Sequence, residues 1–275
     1  MLASDELTFM YGTAWKEDTT ARLTREALEA GFTAIDTANQ RKHYFEAAVG
    51  EGLWEAIDAG VTARDEVFLQ TKFTHQAGQD DRLPYDAEAD MATQVRQSFA
   101  SSLEHLRVKK IDSYVIHGPS ARVGLPADDQ VVWRTMEEIW ADGRVRYLGI
   151  SNVSAAQLAE LVEFADAPVT FVQNRCFANT GWDAETRAVC QANGIIYQGF
   201  SLLTANAREL SSAAVKSVAS EHKATVAQVV FRFAQQVGML PLTGTTDPSH
   251  MSEDLACKTF DLTDDQIDTL LNLAS

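Results

Sequence analysis

The chain has 275 residues, 45% of them hydrophobic and 23% charged, which is enough to bury a full core and close to the length of a one-domain α/β barrel. A formal charge of −16 and a pI near 4.7 speak against nucleic-acid or anionic-membrane partners, because a uniformly negative surface repels both. The three cysteines, Cys176, Cys190 and Cys257, are too widely spaced for a CxxC pair or a zinc cluster and read as reduced packing thiols, with no metal site.

The N-terminus, Met1-Leu2-Ala3-Ser4-Asp5-Glu6, lacks a basic segment followed by an apolar run, and no stretch approaches the about 18 apolar residues of a membrane span, so a cytosolic protein is expected. From there, short β-rich apolar runs at residues 7–11, 34–36, 67–71, 113–116, 147–150, 170–172, 195–198 and 239–242 punctuate the chain. Between them lie amphipathic stretches near 20–30, 46–59, 86–106, 130–142, 154–165, 183–193, 211–237 and 249–257, the seventh long enough for two helices. A last helix at 264–273 is marked by Thr263 and Gln266, a Thr-x-x-Gln capping box. Eight strands each followed by helix predict a closed (β/α)8 TIM barrel, one domain over residues 1–275. An open dinucleotide-binding sheet should carry GxGxxG after its first strand; here that strand runs into Tyr11-Gly12-Thr13-Ala14-Trp15.

In such barrels the active site forms at the C-terminal ends of the strands. The residues there are Thr13, Asp36, Lys72, His117, Ser151-Asn152, Gln173, Ser201 and Thr243. Each alone reads as a helix cap or a satisfied structural group, but a purely structural barrel needs no such convergence of hydrogen-bonding and titratable side chains.

The words Gly31-Phe32-Thr33-Ala34-Ile35-Asp36-Thr37-Ala38, Leu69-Gln70-Thr71-Lys72, Asp112-Ser113-Tyr114-Val115-Ile116-His117-Gly118-Pro119, Gly149-Ile150-Ser151-Asn152 and Val172-Gln173-Asn174 resemble the aldo-keto reductase superfamily in order and separation, over nearly the whole chain. The resemblance implies reduction of an aldehyde or ketone to an alcohol with NAD(P)H, without metal or flavin. Hydride arriving at a carbonyl carbon leaves charge on oxygen, which needs a proton donor. Tyr44 would be that acid, Lys72 the cation that stabilises its phenolate, Asp36 the group that holds Lys72, and His117 the residue that orients the substrate oxygen.

One departure concerns the acid itself. In most members the tyrosine follows the Asp-Thr-Ala word sooner, at the position held here by Arg41, so Gln40-Arg41-Lys42 reads as an insertion. Counting back from Val49-Gly50 in the family's spacing reaches His43, with Tyr44 one residue on. Tyr44 is chosen because a phenol reproduces the donor chemistry; His43 stays open as a competent general acid.

By the same resemblance, Ser151, Asn152 and Gln173 would hold the nicotinamide carboxamide, with Thr13 beside them. Phe200 would stack on the ring in place of the family's tyrosine, and Ser201 and Leu203 would lie in the loop crossing the pyrophosphate. The segment Thr243-Gly244-Thr245 with His250, Glu253 and Asp254 matches the adenosine-phosphate loop, with the usual lysine and arginine absent. NADPH is the expected cofactor, with NADH compatible. A small-molecule carbonyl compound is the expected partner, met by an aromatic wall of Trp15, Phe45, Phe177 and Trp182. The chain ends at Ser275 directly after the last helix, which predicts an open, weakly selective mouth on a monomer. Two other readings are a cofactor-binding regulatory subunit with little catalysis and a lyase using Lys72 as a Schiff-base amine; an Asp36 that keeps Lys72 protonated argues against the second.

Overall fold

The computed structural model describes residues 6–273, so residues 1–5, read above for a leader, and the chain end at Ser275 lie outside it. Eight strands, β1 (Met10–Gly12), β2 (Ala34–Asp36), β3 (Phe68–Phe73), β4 (Ile111–Ile116), β5 (Val145–Ser151), β6 (Val169–Arg175), β7 (Ile196–Phe200) and β8 (Met239–Thr243), pair in sequence order. All pairs are parallel, and Met10 of β1 meets Leu242 of β8 to close the barrel. The ring of helices comprises α1 (Thr20–Ala30), α2 (Glu46–Asp58), α3 (Met91–Leu106), α4 (Ala127–Ala141), α5 (Ala155–Phe164), α6 (Ala184–Ala192), α7 (Ala207–Leu210), α8 (Ala213–Glu221), α9 (Val226–Gln236), α10 (Pro248–Leu255) and α11 (Asp264–Leu271). The expected (β/α)8 barrel is the fold. Among the described residues no helix is long and apolar enough to cross a membrane.

Local chemistry sets the boundaries. Asp90 accepts a hydrogen bond from the Thr93 amide, so α3 begins later than the run from 86 suggested. Helix α4 begins earlier than residue 130, directly after Pro126, with Asp128 and Asp129 in its positively polarised first turn. The 211–237 stretch splits into α8 and α9, the second opened by a capping box of Thr225 and Gln228; Thr263 and Gln266 cap α11 likewise. The first strand is shorter than the 7–11 run: Met10 and Tyr11 pair with β8, and Tyr11 and Gly12 with β2. Phe9 just before it is still buried, its ring 4.8 Å from that of Phe231 on α9.

Helix α2 is wedged unusually close to its neighbours. A Cβ at Gly50 would lie 2.0 Å from the His105 carbonyl oxygen at the end of α3, and one at Gly52 would lie 2.1 Å from the Ala21 carbonyl oxygen of α1. Only glycine permits that approach, and it fixes the helix that starts two residues after Tyr44.

The barrel interior is layered. Its lower part is apolar, with Phe68, Tyr147 and Phe171 in mutual ring contact beside Met10, Ala34 and Leu240. One inward step higher, β3 turns from Phe68 to Gln70 and β6 from Phe171 to Gln173. Gln70 lies in register with Asp36 on one side and Ser113 on the other, and Gln173 is in register with Gln198. A buried polar layer thus lies directly beneath the C-terminal mouth.

Candidate active site

A cavity of about 730 Å³ opens at that mouth, a volume suited to a small-molecule or cofactor site. At its deep end Asp36 and Lys72 form a buried ion pair: the Lys72 ammonium donates to Asp36 Oδ1 at 2.7 Å, to Oδ2 at 2.8 Å and to the Thr37 carbonyl oxygen at 2.8 Å. These bonds use all three ammonium hydrogens. Burial draws Lys72 below the ordinary lysine range against the pull of Asp36, both of whose oxygens accept from it. Lys72 does not line the cavity, which leaves its nitrogen out of reach for Schiff-base formation with a ligand there.

Tyr44 does line the cavity. Its ring centroid stands 5.3 Å from the Lys72 ammonium and 5.7 Å, edge to face, from the His117 ring. The contact with Lys72 is through the ring, not a hydrogen bond to the hydroxyl. Burial, reinforced by the Asp36 carboxylate, holds the phenol well above its ordinary range, so the hydroxyl keeps its proton at neutral pH. The loop that carries it is anchored at Glu46, the buried first residue of α2. Glu46 accepts from the Thr71 hydroxyl, next to Lys72, and pairs at 2.9 Å with His105 Nδ1, which it holds above the ordinary histidine range. His43 occupies a different place: its ring lies 4.0 Å from the Trp15 indole at the rim, and the Trp15 amide donates to its carbonyl oxygen.

His117 is half-buried at the cavity wall. Burial, then the Lys72 cation, then His43, push it down to about 3, so the imidazole is neutral at working pH, with a single ring proton. The Thr74 hydroxyl sits 2.7 Å from Nδ1. A hydroxyl that donates there leaves the ring proton on Nε2, the nitrogen available to a ligand oxygen.

Above this floor Ser151, Asn152 and Gln173 meet at the cavity wall. The Ser151 hydroxyl donates to the Gln173 carbonyl oxygen at 2.6 Å, and the Asn152 amide donates to the His117 carbonyl oxygen at 2.7 Å. Gln173 Nε2 donates inward to Asp36 Oδ1 at 3.0 Å and to Gln198 Oε1 at 2.9 Å. Its own side-chain oxygen has no donor among the described residues. Trp15, Asn152 and Ser201, each just past a strand on the rim, all have positive φ (61°, 53° and 56°), the kind of backbone strain that clusters at ligand sites.

The far end is lined by Phe200, Ser201 and Leu203 on one side and by Thr243, Gly244, Thr245, His250, Glu253 and Asp254 on the other. Asp254 accepts from the Thr243 hydroxyl at 2.7 Å, and burial lifts its carboxyl to about 6. A group absent from the sequence reading joins them: Lys16, buried, lines the cavity and donates to the Gly244 carbonyl oxygen at 2.7 Å, leaving two of its hydrogens free of protein acceptors. Burial lowers it to about 8. Nothing in the sequence marks it, since a lysine in a polar loop ordinarily belongs to the surface.

Besides Lys72, four expected residues are not brought to the cavity. Thr13 is buried, with its hydroxyl and amide both bonded to the Asp36 carbonyl oxygen, so it fastens β1 to β2 and does not line the cavity. Trp182 is fully buried, its indole N–H donating to the Leu270 carbonyl oxygen at 2.8 Å against the Phe233 ring. Phe45 packs under the Arg41 guanidinium, and Phe177 lies near that of Arg175; neither lines the cavity. The aromatic wall reduces to Trp15, 70% exposed, backed by His43.

The family profile described as "Aldo/keto reductase family" matches residues 8–274. The chain belongs to the aldo/keto reductase family. Among its relatives, an aldo-keto reductase of Mycobacterium sp. (strain MCS) is 31% identical over 250 residues, covering 90% of this chain and 79% of that protein. The NADPH-dependent codeinone reductase 1-4 of Papaver somniferum is 29% identical over 264 residues, covering 89% and 78%. Among solved structures, the Bombyx mori aldo-keto reductase in complex with NADP superposes with a TM-score of 0.81 at 23% identity, covering 97% of this chain and 88% of that one. For an aldo/keto reductase, the convergence of a tyrosine, a buried Asp–Lys pair and a neutral histidine is the feature on which a functional reading turns.

Proposed function

We propose that this aldo/keto reductase reduces aldehydes or ketones to alcohols with NADPH, using Tyr44 as the general acid. The observation that carries the reading is a proton-loaded Tyr44 on the cavity floor, beside the Asp36–Lys72 pair and the neutral His117. The described residues suit the cofactor. The unpartnered side-chain oxygen of Gln173 and that of Asn152 offer acceptors for a carboxamide N–H₂, Phe200 offers a π-face, and the spare Lys16 hydrogens, with His250, suit phosphate oxygens. The naming of the Papaver relative as NADPH-dependent points the same way.

When bound, the reduced nicotinamide supplies a hydride to the carbonyl carbon. The protein's part is positional and acid–base. His117 Nε2 and the Tyr44 hydroxyl both address the carbonyl oxygen, the first as a neutral hydrogen-bond donor, the second by giving up its proton as charge develops there. The phenolate left on Tyr44 lies in the field of the Lys72 ammonium, which Asp36 keeps charged, and regains its proton from water at the open mouth. Two observations favour Tyr44 over His43: its nearness to Lys72 and His117, and the packing of the His43 ring, tilted, on Trp15 at the rim.

The test is NADPH consumption with 4-nitrobenzaldehyde, together with quenching of protein fluorescence by NADPH. Consumption that requires aldehyde, with quenching from the Trp15 mouth, supports the reading. Quenching without turnover over a range of aldehydes and ketones would reduce the protein to a cofactor binder, and neither signal would remove the reading altogether.

A further inference from the structure

The buried polar layer beneath the site contains two glutamines whose bonds form one connected pattern. Gln70 Nε2 donates to Gln198 Oε1 at 2.7 Å, and Gln198 Nε2 donates back to Gln70 Oε1 at 2.9 Å, a reciprocal amide pair across the barrel. Gln70 Nε2 also donates to Asp36 Oδ1 at 2.8 Å, while Ser113 donates to Gln70 Oε1 at 3.0 Å. Gln173 Nε2 donates to the same two oxygens as Gln70 Nε2: Asp36 Oδ1 and Gln198 Oε1. Gln70, Ser113 and Gln198 are completely buried, and neither glutamine lines the cavity.

This pattern has one consistent orientation. A carboxylate oxygen can only accept, so Asp36 requires an N–H₂ face from both Gln70 and Gln173. Gln198 must then turn its oxygen toward those N–H₂ groups and its nitrogen toward Gln70 Oε1. With the Gln173 nitrogen committed inward, its oxygen is the end left for the cavity. A flipped Gln173 would set its carbonyl oxygen against the Asp36 carboxylate and the Gln198 oxygen, with no compensating donor, at the cost of two buried hydrogen bonds.

We propose that Gln70 and Gln198 are positioning residues: their reciprocal pair turns Gln198 Oε1 toward Gln173 Nε2, where it reinforces the direct bond to Asp36 Oδ1 and so holds out the Gln173 carbonyl oxygen as the acceptor that fixes the face of the nicotinamide. Asp36 thereby serves twice, once on Lys72 and once through the amides. The inference rests on the reductase reading above. If wild-type protein fails to bind NADPH, that reading fails; if wild type binds and the glutamine variants are unchanged, only this inference fails.

The experiment compares wild type with Gln198→Met and Gln70→Met, near-isosteric changes that break the amide pair from either side. It measures NADPH affinity and the transfer of deuterium to 4-nitrobenzaldehyde from the two C4-deuterated epimers of NADPH. Wild type should transfer label from one epimer alone. Each variant should weaken NADPH by about fivefold, the worth of one net hydrogen bond, and release label from both epimers. Within a Gln173→Ala background, Gln198→Met should have no further effect on affinity, because its path to the cofactor is already cut. Gln198→Glu, whose protonated carboxyl offers the same acceptor and one donor, should stand near wild type at the acid end of the pH range. The proposal is overturned if folded variants keep wild-type affinity and single-face transfer while only their melting temperature falls. Full additivity with Gln173→Ala, or a Gln198→Glu variant with normal melting but wild-type properties lost at acid pH, would overturn it as well.

Discussion

The two ends of the cavity are built on opposite principles. At the deep end almost every polar atom is committed: Lys72 has three acceptors, Asp36 Oδ1 accepts from Lys72, Gln70 and Gln173, and His117 is held by Thr74. At the far end charge is sparse and mixed, with Lys16 and His250 set against Glu253 and Asp254, and only two of these side chains held at the cavity by bonds to residues 243–244. An acid–base group acts only when its charge state and direction are fixed, which is why we propose the over-determined part of the barrel as the place of the chemistry. On the proposed reading, the grip on the outer phosphates rests on a few long side chains, which a change of one residue or of pH would retune.

The sharpest way to break this contrast is Asp36→Asn. Loss of the carboxylate leaves the Lys72 ammonium buried without a counter-charge and turns two amide donors toward a group that no longer only accepts. Turnover should fall by about 10²-fold or more, and stability by about 3–5 kcal/mol, read by NADPH consumption and thermal melts. A variant with near-normal turnover would mean that the deep end is not over-determined. Next comes Lys16→Met, which should weaken NADPH by about tenfold, the scale of a charge-assisted hydrogen bond, while turnover at saturating cofactor changes little. Loss of turnover without loss of affinity would move Lys16 from cofactor grip to chemistry.

The smallest effect is expected at Asp254, and pH gives its sign. Burial raises its carboxyl to about 6, so the group is neutral well below that pH and a carboxylate above it. As pH rises through about 6 the new negative charge should oppose the 2′-phosphate of NADPH. The ratio of NADPH dissociation constants, wild type over Asp254→Asn, should be about one at acid pH and about threefold at alkaline pH, the size of a screened repulsion, and titration of the phosphate itself cancels in the ratio. NADH should give a flat ratio. A ratio that is equally large at both ends of the range would place the effect in lost packing with Thr243.

The same contrast governs how much was legible in the sequence. Strand order, the barrel and the set Asp36, Lys72, His117, Ser151, Asn152 and Gln173 could be read because strand periodicity places their side chains at known ends of apolar runs. Gln70 and Gln198 were equally readable as polar residues on inward strand positions, and only their pairing across the barrel needed coordinates. Trp182 was not readable. Gly181, Trp182 and Asp183 all take positive φ, rolling the indole inward to a partner 88 residues away, Leu270. Thr13 sits at a strand end like the others, but its hydroxyl turns to the neighbouring strand's carbonyl, and periodicity does not report that choice. Lys16 escaped notice because a lysine after an exposed tryptophan ordinarily belongs to the surface; its burial depends on the loop after β8 folding over it.

Two adjacent residues before α2 are candidates for the acid, and one comparison separates them most directly: steady-state turnover of 4-nitrobenzaldehyde by wild type, Tyr44→Phe and His43→Ala at saturating NADPH. Tyr44→Phe should lose about 10²-fold or more in turnover while still binding NADPH, and His43→Ala should keep turnover and change chiefly the KM for the aldehyde. Full activity in Tyr44→Phe, with His43→Ala inactive, would contradict the account.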